Sequence, residues 1–415
     1  MSDAADGPLS DVRVLDLTRL LPGGFCSLLL ADFGADVVKV EDTGMGDYVR
    51  WAPPYYGSEE HQALGTRSAL YLALNRGKRS IRLDLKSEAG RDTLLRLAGD
   101  YDVVLESFRP GVLDKLGCGY DALREANPRI VYCAITGYGQ TGPNTQRAGH
   151  DMNYLGLNGL LGLTGEPRGR PIQSAGQIAD LGGGALMAAF GVMAALRERE
   201  RSGEGQLVDV SMTDGSLAWL AMVAAQYLCD GAVPPRGRGS LSGGIACYLP
   251  YEAADGWVTC GALEPKFWRN FCEGVGRSDL IDKQFAAPDS ADGEAIAAVF
   301  KERTRDEWKA FNDEHDAMIE PVLDLDEALD SELVRRRDMV VELEQPELGP
   351  VRLLGLPVKF SRTAGDATRP APALGEHTEQ VLADAGFSED EVAALIDSGA
   401  VAGLSAHTEP ARFMG

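Results

Sequence analysis

The chain has 415 residues, with 40 basic against 63 acidic side chains for a formal net charge of −23, and is 44% hydrophobic. That length exceeds what one compact core ordinarily holds, so two domains are expected, and the apolar fraction is that of a globular protein. So acidic a chain is a poor partner for nucleic acid or anionic membranes, and its longest apolar stretches, such as Ala185 to Leu196, fall short of the roughly 20 residues that span a bilayer.

The first residues, MSDAADGPLSD, lack the basic-then-apolar order of a signal peptide, and the final ARFMG is not a peroxisomal address. Seven cysteines are scattered without a CxxC pair or metal-like spacing. Reduced thiols in a cytoplasm are the expectation.

Elements then follow in chain order. VRVLDLT from Val12 is a strand, PGGFCSLLLADFG a helix ending at Gly34, and ADVVKVE a second strand. SIRLDLK alternates as a strand, SEAGRDTLLRLAGD is a helix with Ser87 as N-cap, and YDVVLESF is another strand. GYDALREANP is a short helix stopped by Pro128, and RIVYCAITGYG a further strand. Strands alternating with helices imply a parallel sheet covered on both faces, an α/β fold of Rossmann-like type. Beyond Gly149 long apolar helices take over, one of them beginning at Asp180 and stopping at Gly203. GSLAWLAMVAAQYL follows as a helix, Gly231 to Gly244 reads as a connector, and a second α+β region runs to about Val340. The expected organisation is a large domain over 1–215, a linker over 216–246, a smaller inserted α+β domain over 247–340, and a return to the large domain over 341–415.

Two local patterns invite a ligand. NRGKRSIRLDLK (Asn75 to Lys86) gathers five basic residues against one acid, which in so acidic a chain points to an anionic ligand or else to a solvated basic face. GYGQTG (Gly137 to Gly142) fits G-x-G-x-x-G and follows a strand. However, Pro143 and a polar stretch come next where a dinucleotide site needs an apolar helix, and no acid stands about 20 residues on. No Walker loop, HExxH or GxSxG is present.

Three ionisable residues sit in small or apolar surroundings: His150 in AGHDMNYLG, Asp180 in GQIADLGGGALM and Glu264 in TCGALEPKFW. Each stands at a strand end or helix start, where side chains line clefts and backbone amides are free. The three glycines after Asp180 leave a ligand access to the backbone. Taken singly, Asp180 also reads as a helix N-cap, His150 as a satisfied core residue and Glu264 as a surface acid.

LSDVRVLDLTRLLPGGFCSLLLADFGADVVKVE, RSIRLDLKS, ESFRPGVLDKLG, ITGYGQTGP, GQLVDVSMTDG and PALGEHTEQVL, in that order from residue 9 to 383, resemble the motif series of the family III CoA-transferases. Within that family GHDMNY, IADLGGG and GALEPKFW are similar to the α-methylacyl-CoA racemase branch. The resemblance implies that His150 and Asp180 are a catalytic acid–base pair, that Glu264 supports His150, and that amides at the helix start by Asp151 stabilise an enolate oxygen. It counts Gly149, Met152, Asn153 and Tyr154 among the residues that bind the substrate or its CoA. CoA contacts fall on Leu83, Asp84, Leu85 and Lys86, on Ser107, Phe108 and Arg109, and on Lys115, which stands where a racemase can carry arginine. Asp42 falls where such proteins can carry a cation, and Leu249 where an acid is expected. The resemblance further implies an interlocked homodimer, an acyl-CoA thioester as substrate, and no metal or redox cofactor.

Inverting a carbon beside a thioester means taking its proton from one face and returning one to the other, so two acid–base groups must flank a planar enolate. A histidine suits one face, and an aspartate raised by an apolar setting suits the other. The expected activity is therefore interconversion of (R)- and (S)-2-methylacyl-CoA. The alternatives are CoA transfer between carboxylic acids through an Asp180 anhydride, and a non-catalytic CoA-binding protein.

Overall fold

Short runs of β-branched residues separated by apolar helices close into one sheet in the computed structural model, which describes residues 7–57 and 65–404. The strands are β1 (Arg13–Asp16), β2 (Asp36–Glu41), β3 (Arg79–Leu83), β4 (Val103–Glu106), β5 (Val131–Thr136) and β6 (Leu207–Ser211). They lie side by side in the order β3-β2-β1-β4-β5-β6, all parallel, with Val14 opposite both Val37 and Val103. Helices cover both faces, which is why β4 and β5 are buried at every residue rather than alternating. One difference from an all-parallel sheet is the two-residue strand Val401–Ala402, which pairs antiparallel along β3 and closes that edge.

The order reverses at β1, which has β2 on one side and β4 on the other. At such a switch point the loops leaving neighbouring strands run apart, and a crevice opens at their carboxyl ends. Those loops start at Leu17 after β1 and at Ser107 after β4.

The chain divides into two units. The first holds the sheet and comprises the described residues of Met1–Asn158, Gly176–Ala218 and Glu332–Gly415. The second comprises Gly159–Ala175 and Trp219–Ser331. Three features of this division depart from the sequence expectation. The stretch 216–246 is no simple linker, since it carries the helix Ala221–Asp230, and the second unit also takes in an excursion over 159–175. Residues 332–340 belong with the large unit, where Val340–Gln345 begins a hairpin with Gly349–Leu354.

The second unit is built on an antiparallel sheet of Tyr248–Ala253, Gly256–Gly261 and Ile319–Pro321. Its core is aromatic: Phe300 stacks on Tyr251 at 4.1 Å and on Phe271 at 5.0 Å, with Trp268 and Trp308 buried beside them.

The long helix expected from Asp180 to Gly203 is present, but its first nine residues, Ile178–Leu186, wind as a π-helix before the α-helix Met187–Ser202. Gly203 ends it in the left-handed region at φ 84°. The continuous run of 25 residues is long and apolar enough to cross a membrane, beyond what Ala185 to Leu196 alone suggests, yet half of its apolar window is buried within the protein. The opening residues 1–6 and the terminal ARFMG, read above for targeting signals, lie outside the described residues.

Candidate active site

The site begins in the turn that follows β1. Leu20 there adopts φ 63°, a conformation uncommon for a residue with a branched side chain. Its amide donates to Asp47 Oδ1 at 3.2 Å, and the other oxygen of Asp47 meets Lys39 Nζ at 2.7 Å with both side chains buried. Lys39 also donates to the Thr18 carbonyl at 3.0 Å, so one buried ion pair holds the turn at two points.

A second buried set lies behind it. Lys78 Nζ donates to Ser27 Oγ at 2.7 Å and Asn75 Oδ1 at 2.9 Å and sits 3.3 Å from Asp16. Burial pulls Lys78 down to about 8 against the attraction of Asp16. Arg50 grips Glu41 at 2.6 Å; burial alone would raise that carboxyl, but Arg50 holds it at about 2.

These contacts take up four of the five cations in the basic run, so those four are not free to hold an anion. Arg76 pairs with Asp32 at 2.6 Å, Lys78 with Asp16, and Arg79 with Asp36 at 2.6 Å and Asp384 at 3.0 Å. Arg82 donates to the carbonyls of Gly44 at 2.9 Å and Gly403 at 3.2 Å. Of the five, only Lys86 is exposed. The run holds the sheet to its neighbours, because a cation buried under a sheet must find a carboxylate or carbonyl there.

Two cavities open at the carboxyl ends of the strands. The smaller, of about 110 Å³, is bounded by Leu17 after β1, Val40 to Asp42 at the end of β2, Leu83 at the end of β3, and Asp84, Leu85 and Lys86 after it. The larger, of about 670 Å³, is bounded by the β1 turn, Ser107 to Pro110 after β4, Gly137 after β5, Arg147 to His150, Asn153, Tyr154 and Asp180. Arg19 and Phe108 border both.

His150 is the N-cap of the helix Asp151–Leu157, so it is neither core nor satisfied by burial. Its amide donates to Asn153 Oδ1 at 3.0 Å, and the Tyr154 hydroxyl donates to the Gly149 carbonyl at 2.5 Å. Gly149 is required: a Cβ there would lie 2.7 Å from the Tyr154 ring. The backbone is thus tied down while the imidazole stands at the cavity.

Asp180 faces the same cavity from the first π turn, 9% exposed. Burial, and then the charge of Asp151, push its carboxyl up to about 6. Asp151 itself is buried, and its Oδ1 accepts the amides of Ala179 at 2.6 Å and Asp180 at 3.1 Å. The N-cap position is Gln177, and the acceptor for the first amides is Asp151, reaching across from another helix; Asp180 is the third residue of the run and not its cap.

Of the three glycines after Asp180, Gly183 and Gly184 serve packing and not ligand access. A Cβ on Gly183 would lie 2.6 Å from the Ser216 amide, and one on Gly215 would lie 2.0 Å from the Gly183 carbonyl. They let the π turn lie directly on the helix Met212–Ala218. The GYGQTG loop likewise uses its amides internally, Gly139 donating to Thr136 Oγ1 at 3.0 Å and Gln140 to Asp209 at 3.0 Å.

Ser107, Phe108, Arg109, Gly149, His150, Asn153, Tyr154 and Asp180 thus meet at one cavity, and Leu83 to Lys86 with Phe108 at the adjoining one. Lys115 and Met152 are exposed and border neither. Glu264 belongs to the second unit, where it is exposed as the N-cap residue of Pro265–Gly274. Arg19, Arg147 and Gln177 join the larger cavity without having been singled out in the sequence. The signal for Arg19 was its place just past β1, once the strand order is known.

The model of the CoA-transferase family III matches residues 9–378. The chain belongs to the family III CoA-transferases. Its relatives in this family include the α-methylacyl-CoA racemase of Mus musculus, 38% identical over 394 residues, covering 93% of this chain and 96% of the relative. They also include a succinyl-CoA:mesaconate CoA-transferase of Haloarcula hispanica, 36% identical over 394 residues and covering 92% and 97%. Among solved structures, a CAIB/BAIF family protein from Brucella suis superposes with a TM-score of 0.78 at 32% identity, covering 92% of this chain and 100% of that one. The family III fold, mixed α/β with a central parallel sheet and smaller sheets, is the one described above.

Proposed function

We propose that this family III enzyme is a racemase of 2-methyl-branched acyl-CoA thioesters. The observation that carries the reading is that His150 and Asp180 border one cavity, with Asp180 pushed up to about 6. Two acid–base groups bordering one site are what a two-base inversion requires. One removes the α-proton, leaving the electron pair delocalised onto the thioester oxygen, and the other delivers a proton to the opposite face. The backbone amides of Asp151 and Met152, which precede the first internal bond of that helix from the Asn153 amide to the His150 carbonyl, would serve the enolate oxygen. CoA would run from the smaller cavity past Arg19 and Phe108 into the larger one.

A CoA-transferase reading is favoured by the transferase relative at nearly equal identity. In it Asp180 attacks the thioester carbonyl, CoA leaves as thiolate, and an aspartyl anhydride forms. The two readings separate in heavy water. A racemase exchanges the α-proton of a 2-methylacyl-CoA without added acid, whereas a transferase needs a second acid and yields an adduct that hydroxylamine traps.

The reading includes a homodimer. Phe190 on the first unit and Leu228 on the second are 73% and 81% exposed, and no residue of the helix Ala221–Asp230 is buried. Apolar faces of this kind mark association surfaces. Sedimentation should give twice the chain mass, and the monomer mass would remove this part of the proposal. Glu264 is assigned to orient His150. Refolding His150→Ala with Glu264→Ala should restore activity if the pair forms across chains, and no recovery in verified mixed dimers would place both in one chain.

A further inference from the structure

Asp151 makes more contact with the backbone of Asp180 than a helix-start residue needs. It is 1% exposed, and a single oxygen accepts two amides, those of Ala179 and Asp180. Its second oxygen, Oδ2, is buried and finds no hydrogen-bond partner among the described residues. An asparagine or a serine would cap the same two amides without a charge. A buried carboxylate with an orphan oxygen is the costlier choice, and such a group calls for an explanation. Attraction to the amino end of the π-helical run accounts for a negative cap, but not for leaving half of it unpaired.

We propose that Asp151 is a positioning residue with two effects on one neighbour: its capping oxygen fixes where the Asp180 carboxyl stands, and its buried, unpaired second oxygen sets a like group beside that carboxyl. This rests on the reading of Asp180 as an acid–base group. A like charge held close disfavours ionisation of its neighbour, and a dry site screens it little. The direction agrees with the raised carboxyl of Asp180, for which burial is the larger cause and Asp151 the second. The other ionisable groups near it are Tyr154 on the helix of Asp151, Tyr138 after β5, and His150, Arg19, Arg109 and Arg147 on the cavity wall. The packed helix Met212–Ala218 carries Asp214, and β6 carries Asp209, whose carboxylate is engaged by the Gln140 amide. Asp151 is the charge that acts on Asp180 among them.

The test is a carbon-13 carboxyl titration of Asp180, its resonance assigned by loss in Asp180→Asn. The unsubstituted protein should titrate near 6, and Asp151→Asn should titrate lower while staying above 3.8, because burial is unchanged. Asp151→Ser, which also caps, should behave as Asp151→Asn does, and serves if the first variant fails to fold. Equal midpoints in the unsubstituted protein and a capped variant would overturn the proposal and leave Asp151 a structural cap. In activity, the acid limb of kcat/KM for α-proton exchange should move to lower pH in Asp151→Asn. Asp151→Ala, which removes the cap as well, should also lose kcat. Absence of exchange in the unsubstituted protein would instead remove the racemase reading, and the titration would still decide the role of Asp151.

Discussion

The guanidinium of Arg19 meets the carboxylate of Asp42 at 2.9 Å, where the two cavities adjoin. The pair neutralises a cation on the path proposed above for CoA. Asp42→Asn frees that cation, so KM for acyl-CoA should fall by about twofold to fivefold at low salt, the scale of a partly exposed pair, with the gain shrinking as salt rises. Arg19→Ala should raise KM with little change in kcat, as for a contact equal in ground and transition states. Steady-state kinetics at two ionic strengths check both. A large loss of kcat in Arg19→Ala would place that residue in the chemistry instead.

Gly183 and Gly215 bring two helices into backbone contact, with no room for a methyl group. Gly215→Ala should destabilise by about 1–3 kcal/mol, the usual cost of overpacking, and should lower kcat more than it changes KM, because the π turn that carries Asp180 must shift. Urea melts and kinetics of the variant test this. Unchanged stability with unchanged kcat would show that the helices can part freely.

Arg50 and Glu41 form a fully buried pair, with the Arg50 guanidinium 4.0 Å from the Tyr71 ring centre. Removing one partner strands the other charge, so Arg50→Met should cost about 3–5 kcal/mol, and adding Glu41→Gln should recover part of it. The Glu41 carboxyl is depressed from 4.5 to about 2, so the stability it contributes is present above its unfolded pKa and is lost as pH falls through about 2. Melts of the two single variants and the double variant between pH 7 and pH 2 would check the sign. Additive losses would deny the coupling.

Asp180 runs the opposite way. Its pKa is raised from 3.8 to about 6, so its contribution is most favourable below the unfolded value and is lost as pH rises through 6. Asp180→Asn should therefore stabilise the protein at pH 8, by about 1–3 kcal/mol on the scale of such shifts, while abolishing inversion. The stability advantage should disappear by pH 4. Equal melting temperatures at pH 8 would show that the carboxyl carries no ionisation penalty.

Much of the first unit was legible where the signal is local. Ser87 stands before an amphipathic run, and its hydroxyl accepts the Gly90 amide at 3.0 Å as an N-cap does. His150 before a short helix is legible in the same way, and the family motifs point to most of the residues that share its cavity, though not to Arg19, Arg147 or Gln177. What failed was long-range pairing. The acids that occupy Arg76, Lys78 and Arg79 lie 44, 62 and 43 residues upstream, so a run of cations looked free when it was not. Gly183 and Gly184 failed for the same reason, since their partners Met212, Gly215 and Ser216 lie beyond a whole helix. The position of Arg19 became meaningful only with the strand order that makes β1 and β4 neighbours.

The central claim is that two acid–base groups work on opposite faces of one α-carbon, and proton NMR in heavy water tests it most directly. A single 2-methylacyl-CoA epimer, incubated with the protein and no added acid, should lose its α-proton signal as the other epimer appears. Asp180→Asn should exchange one epimer without inverting it, and His150→Ala should favour the other. No α-proton loss in the unsubstituted protein, together with acyl-CoA-dependent inactivation by hydroxylamine, would contradict the racemase account and leave a CoA-transferase with Asp180 as nucleophile.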